Sequence, residues 1–132
     1  KQSLIYAVDK NKRALNNVSI KAGIHLEKLV LDFVNDDLPF KSLSGILMAN
    51  SFHFVRDKNA FINKAFKCLN ADGYLLIVEY DRDISNSWVP YPISLKKLEI
   101  FFKQYSYTTE KLNEMPSRFN GIIYSAIIHK YE

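Results

Sequence analysis

Four short apolar segments in this chain end in residues that can bind or react. SLIYAV (3–8) runs into Asp9 and Lys10. LEKLVLDF (26–33), most apolar at 29–31, closes on Asp32 and Phe33. GILMA (45–49) leads into Asn50, Ser51, Phe52, His53 and Phe54, and YLLIV (74–78) into Glu79, Tyr80 and Asp81. A carboxylate offers acceptors on two oxygens, so Asp9 at a strand end can take both hydroxyls of a ribose. The same position suits the N-cap of a following helix, and the two roles are compatible. Asp32 offers an acceptor to an exocyclic amine, with Phe33 as an apolar face beside it; an ordinary loop start reads equally well.

These residues share a purpose only if the apolar segments are strands of one sheet. The clearest unit is 45–81. Gly45 to Ala49 reads as a buried strand and 50–57 as a loop. Phe61, Ile62, Ala65, Phe66 and Leu69 then fall at helical spacing over 59–69. Asn70-Ala-Asp-Gly73 is expected to close that helix, with Gly73 in a left-handed conformation, before a second strand at 74–78. Two buried strands joined by a helix make a parallel βαβ unit.

Ahead of it, 3–8 predicts a strand, 11–22 a helix stopped by Gly23, and 26–33 another strand. The Asn, Asp and Pro residues of 35–39 predict a loop. Behind it, 82–92 is irregular, and Ser94 caps a helix to about Gln104. A β-rich stretch from Tyr105, a turn at 116–121 and a last strand at 122–129 predict an antiparallel hairpin. The fold class is α/β with a mostly parallel sheet, and in such sheets ligands bind beyond the carboxyl ends of the strands.

Composition narrows the partners. The 132 residues are 48% hydrophobic and 24% charged, which suits one domain with a packed core. The net charge of +4 comes from scattered lysines, so a solvated surface is expected and no nucleic-acid partner. A single cysteine, Cys68, excludes an internal disulfide, fits a cytoplasmic location, and reads as a core thiol. No apolar run reaches the ~20 residues of a membrane span, and no leader is visible. His25 and His129 fall outside the strand ends, and no spacing supports a metal. Trp88 and Tyr91 suit either a lid or ordinary packing.

The order of these motifs resembles the class I S-adenosylmethionine-dependent methyltransferases of the small-molecule type. IYAVD resembles that family's second strand with its acidic end, and LDFVNDDLPF its adenine-side segment. GILMANSFHFVRD resembles the fourth strand and its loop. AFKCLNADGYLLIVEYD resembles the helix, glycine turn and fifth strand, with NADG lacking the usual proline. The closing hairpin resembles strands six and seven. The resemblance implies S-adenosylmethionine as cofactor and a small-molecule acceptor. Asp9 would hold the ribose and Lys10 flank the adenosine. Asp32 and Phe33 would hold the adenine, with Asn50 and Ser51 beneath the methionine part. Phe52, His53 and Phe54 would line the junction with the acceptor, with His53 as a general base or as a packing residue.

The family's Gly-x-Gly-x-Gly loop and the first strand before it are absent. The chain has only Gly23, Gly45, Gly73 and Gly121. In the family's strand order, 3-2-1-4-5-7-6, the missing strand lies between the second and the fourth. The expectation is a partial methyltransferase-like domain, 1–132, from a longer polypeptide. Its second and fourth strands would pair directly, or a homodimer or strand-supplying partner would complete the sheet. A non-catalytic module that has lost cofactor binding and acts through oligomerisation is the alternative. A nicotinamide-type Rossmann domain fits IYAVD but not the closing hairpin.

Overall fold

In the computed structural model, which describes residues 3–118 and 121–130, the first apolar run is a strand, β1 (Ser3–Asp9). It pairs in parallel with β2 (Ile24–Val30), from Ser3 opposite Ile24 to Asp9 opposite Val30. The Leu31 N–H donates to the Asp9 carbonyl at 3.0 Å and extends the ladder by one bond. The second strand therefore begins two residues before the predicted 26 and ends before Asp32.

The helix between them, α1 (Lys12–Asn16), is much shorter than the predicted 11–22. Asn16, Asn17 and Ser19 compete for backbone groups, and Val18 and Ile20 are β-branched, so nothing propagates the helix past Asn17. Its cap is Asn11, whose side chain accepts from the Arg13 N–H at 2.9 Å, and not Asp9. Gly23 takes φ +92, a turn conformation that releases the chain into β2.

Residues Lys1–Leu38 form one compact unit and Pro39–Glu132 a second. The second holds a four-stranded sheet in the order β3 (Leu43–Ala49), β4 (Leu69–Tyr80), β6 (Ile122–Lys130), β5 (Tyr107–Pro116). β3 and β4 are parallel, and β6 runs against both of its neighbours, as the hairpin reading expects. Of the predicted turn at 116–121, residues 119 and 120 lie outside the described residues. The described ladders make two separate sheets, so direct pairing of β1 with β3 is not among them.

Two helices serve this sheet. Asp57 caps α2 (Lys58–Phe66) by accepting from the Ala60 N–H, and Ser94 caps α3 (Leu95–Lys103) by accepting from the Lys97 N–H. The buried face pairs Leu75 with Ile128, Ile77 with Ala126 and Glu79 with Tyr124. Phe61, Ile62 and Ala65 of α2 and Leu98 and Phe102 of α3 are buried too. Each buried Leu, Ile or Phe among them contributes about 1.5–3 kcal/mol by leaving water.

The Asn70–Gly73 segment corrects the sequence reading. It lies inside β4, and Gly73 has no positive φ. Leu43 pairs with Leu69 and Gly45 with Tyr74, so four residues loop out of the ladder between them. Gly73 is required by close approach instead. A Cβ there would stand 2.9 Å from Leu69 Cβ and 3.1 Å from the Asn70 carbonyl oxygen.

Candidate functional site

In the first unit Asp9 and Asp32 follow neighbouring parallel strands at the same end of their sheet. Asp9 is half-buried, and its Oδ1 accepts from the Asn11 N–H at 2.8 Å. No protein donor reaches Oδ2 among the described residues, so a ligand hydroxyl can use it. Asp32 is more committed. Its Oδ1 accepts from the N–H groups of Val34 (3.0 Å) and Asn35 (3.3 Å), and its Oδ2 from Asn35 Nδ2 at 2.8 Å. The Asn35 amide, then the Val34 N–H, hold the Asp32 carboxyl below its ordinary value, and nearby Lys10 adds a smaller pull in the same direction. Oδ2 keeps a lone pair for an amine donor. Phe33 is half-buried beside it, and Lys10 is exposed.

In the second unit the chain leaves β3 through Asn50, which is exposed and left-handed at φ 54. Asparagine tolerates that conformation better than most residues. The Asn50 N–H still donates to the Val78 carbonyl at 2.9 Å, which ties the turn to β4. Half-buried Ser51 and a single 3-10 turn, Phe52–Phe54, follow.

That turn separates the predicted site residues. The Phe52 ring is wholly buried, 6.3 Å from Phe61 and 6.5 Å from Phe102 by centroid. Its side chain packs into the core. His53 is also buried, and it meets Glu79 twice. Its backbone N–H donates to Oε2 at 3.0 Å, and its Nδ1 lies 2.7 Å from Oε1. The Tyr80 N–H gives Oε1 a further bond at 3.0 Å. With the carboxylate accepting at Nδ1, that nitrogen carries the proton, and Nε2 takes no protein partner among the described residues.

Glu79 is the buried partner of His53, and the sequence reading named it only as a strand end. Its signal was there: a carboxylate between Val78 and Tyr80, in step with inward-facing Leu75 and Ile77, must find partners in the core. Lys58 is a second omission. Its Nζ donates to the carbonyls of Val55 (2.7 Å) and Tyr91 (2.8 Å) and lies 5.0 Å from the Phe52 ring centre. Burial pulls its pKa down to about 8, against the opposing attraction of Glu79.

The Tyr91 N–H in turn donates to the His53 carbonyl at 2.9 Å, and the buried Tyr124 hydroxyl donates to the Ile93 carbonyl at 2.8 Å. Burial, then the charges of Glu79, Asp81 and Asp83, push the Tyr124 phenol far above its usual range, so it remains a donor. The 82–93 connection is thereby pinned at its far end to the loop after β3. Trp88 takes no part, being 83% exposed. Cys68 is a buried thiol whose pKa burial raises. Exposed His25 pairs with Glu27, and His129 approaches Glu110. Among the described residues no cluster of three or more His, Cys, Asp or Glu could hold a metal ion. No helix among them is long and apolar enough to cross a membrane.

No protein-family model and no curated protein matches the sequence. Solved structures do match in backbone. One is the Burkholderia thailandensis 1,6-didemethyltoxoflavin-N1-methyltransferase, with its substrate and S-adenosylhomocysteine bound. It superposes with a TM-score of 0.71 at 16% identity, over 96% of this chain and 61% of its own. DhpI, solved with S-adenosylhomocysteine, gives 0.71 at 11% identity over 96% of this chain and 66% of its own. An S-adenosylmethionine-dependent methyltransferase from Mesorhizobium loti gives 0.67 at 10% identity over 97% and 81%. The chain thus spans less than two thirds of the first of these proteins. Its strands and helices, in this order and sense, are the fold of the class I S-adenosylmethionine-dependent methyltransferases.

Proposed function

We propose that the chain belongs to an enzyme that moves a methyl group from S-adenosylmethionine to a small molecule. The observation that carries this is the backbone likeness to two proteins solved with S-adenosylhomocysteine in place. On this reading the two units are one methyltransferase-like domain of a cytoplasmic protein. A strand and a glycine-rich loop outside this chain complete it. They come from the same polypeptide or from a second copy.

Asp9 accepts the ribose hydroxyls through its unused Oδ2. Asp32 Oδ2 accepts the adenine amine, with Phe33 against the ring and Lys10 flanking it. Asn50 and Ser51 offer polar groups to the methionine part. When bound, S-adenosylmethionine supplies a methyl group made electrophilic by its sulfonium. His53 acts on the acceptor. That methyl would pass to a lone pair on the acceptor's O–H or N–H, with the carbon–sulfur electron pair left on sulfur. The acceptor's proton passes to His53 Nε2. Glu79, 2.7 Å from Nδ1, fixes the ring and stabilises the imidazolium that forms.

Calorimetric titration of the full-length polypeptide with S-adenosylhomocysteine tests the reading. The expected result is one site per chain, weakened at least about ten-fold by Asp9→Ala through the lost charge-assisted bonds. A full-length protein that gives no heat ends the enzyme reading and leaves the non-catalytic alternative.

A further inference from the structure

We infer that the cavity at the carboxyl end of β4 binds the methyl acceptor by an anionic group, carboxylate or phosphate, held by Arg82. The word acceptor rests on the proposed reaction; the anion rests on the cavity alone. The cavity has a volume of about 660 Å³, within the usual range for small-molecule sites. Tyr80, Ile84 and Ile122 give it apolar walls, and Asp81, Arg82 and Asp83 its charges.

Those charges are not equally free. Asp81 Oδ1 accepts from the Leu95 N–H at 2.9 Å, and Asp83 Oδ1 from the Ser94 N–H at 3.0 Å. Each carboxylate thus gives one oxygen to the N-terminal end of α3, where the helix dipole offsets part of its charge. Lys97 Nζ, 3.8 Å from Asp83 Oδ2, offsets one further. Arg82 has no such partner. Its Nε donates to the Ile84 carbonyl at 2.7 Å, which orients the guanidinium, and its two terminal nitrogens meet no protein acceptor among the described residues. An oriented guanidinium with two free nitrogens matches a carboxylate or phosphate in bidentate fashion. The walls then suit an apolar body, such as a ring, attached to the anion.

The test is amide NMR titration of the full-length polypeptide with three probes: 4-hydroxybenzoate, uncharged 4-hydroxybenzamide and phenyl phosphate. The inference expects shifts confined to 80–84 and 121–122. At least one anion should bind about ten-fold tighter than the amide. Whichever anion binds tighter identifies the source. Arg82→Gln should abolish the preference, and Arg118→Gln, at the neighbouring 250 Å³ cavity, should keep it. Equal affinity for benzoate, phosphate and amide, an undiminished preference in Arg82→Gln, or shifts elsewhere overturns the inference. Adenosylhomocysteine binding separates the two claims. Its presence without anion preference defeats only the anion site, and its absence with the preference intact defeats only the methyltransferase reading.

Discussion

The two units treat their carboxylates in opposite ways. In the first, Asp9 and Asp32 stand at strand ends near solvent and spend their bonds on the backbone of their own loops. Among its described residues only Leu15 is buried, and Leu4, Ile5 and Val30 are exposed. In the second, Glu79 is wholly buried and answers to a residue 26 positions away. The lesson is about where change is tolerated. Half-buried carboxylates with local partners can be lost with less harm to folding, so they are free to serve a ligand. A buried carboxylate with distant partners is part of the framework, whatever else it does.

The largest expected effect breaks the framework. Glu79→Ala strands the His53 Nδ1–H, the His53 N–H and the Tyr80 N–H in the core. The loss should be about 3–5 kcal/mol, as for other buried pairs robbed of one partner. Asp9→Ala should cost only about 0.5–1.5 kcal/mol, the net worth of its one hydrogen bond from the Asn11 N–H. Urea midpoints of the two variants measure the contrast directly. Similar losses would mean that Asp9, too, is structural.

Gly73→Ala comes next. The added methyl meets Leu69 Cβ and a backbone carbonyl that cannot swing aside. Overpacking of this kind costs about 1–3 kcal/mol. Gly23→Ala should be milder in packing, since no atom stands within 4 Å, and should lose only what φ +92 demands. If Gly73→Ala were neutral, the looped-out segment of β4 would be softer than its ladder implies.

Much of this was legible in the sequence, and the failures share a cause. The strands could be read because a buried sheet writes itself as apolar runs, and the reversal of β6 because a short turn leaves no room for a crossover. Asp57 and Ser94 behave as local chemistry says caps should. What escaped depended on distant partners. Asn70–Gly73 has the composition of a helix stop, but β3 recruits it into β4 on either side of a bulge. The packing of Phe52 against Phe61 of α2 and Phe102 of α3 was likewise not written in its own loop. His53 could be named from its loop, while the carboxylate that defines its chemistry lay far along the chain.

Lys58 offers a pH-dependent version of the same contrast. Burial lowers its folded pKa from 10.5 to about 8. Between those values the unfolded chain holds a proton that the folded chain has released, so stability contributed at this site rises with pH across that window. Urea unfolding from below pH 8 to above 10 should show this slope in the wild type and lose it in Lys58→Met. A Lys58 side-chain NMR titration midpoint near 10.5 would mean the amine is as solvated as a surface lysine.

The smallest effect is at Asp32, and its slope has the same sign in a far more acidic window. Its carboxyl is held below 3.8, first by the Asn35 amide and then by the Val34 N–H. A depressed carboxylate stabilises the fold above its unfolded value, and that contribution disappears as pH falls through the lowered folded value. Since Asp32 is open to water, the change should scarcely register in unfolding. It should be plain in the carboxyl's own titration by NMR, with Asn35→Ala moving the midpoint up toward 3.8. The same variant frees Asp32 Oδ2 from its one protein donor. If that oxygen serves adenine, Asn35→Ala should leave adenosylhomocysteine affinity intact while Asp32→Ala lowers it. Equal losses in both would mean that the loop's shape, rather than its carboxylate, is what the nucleoside meets.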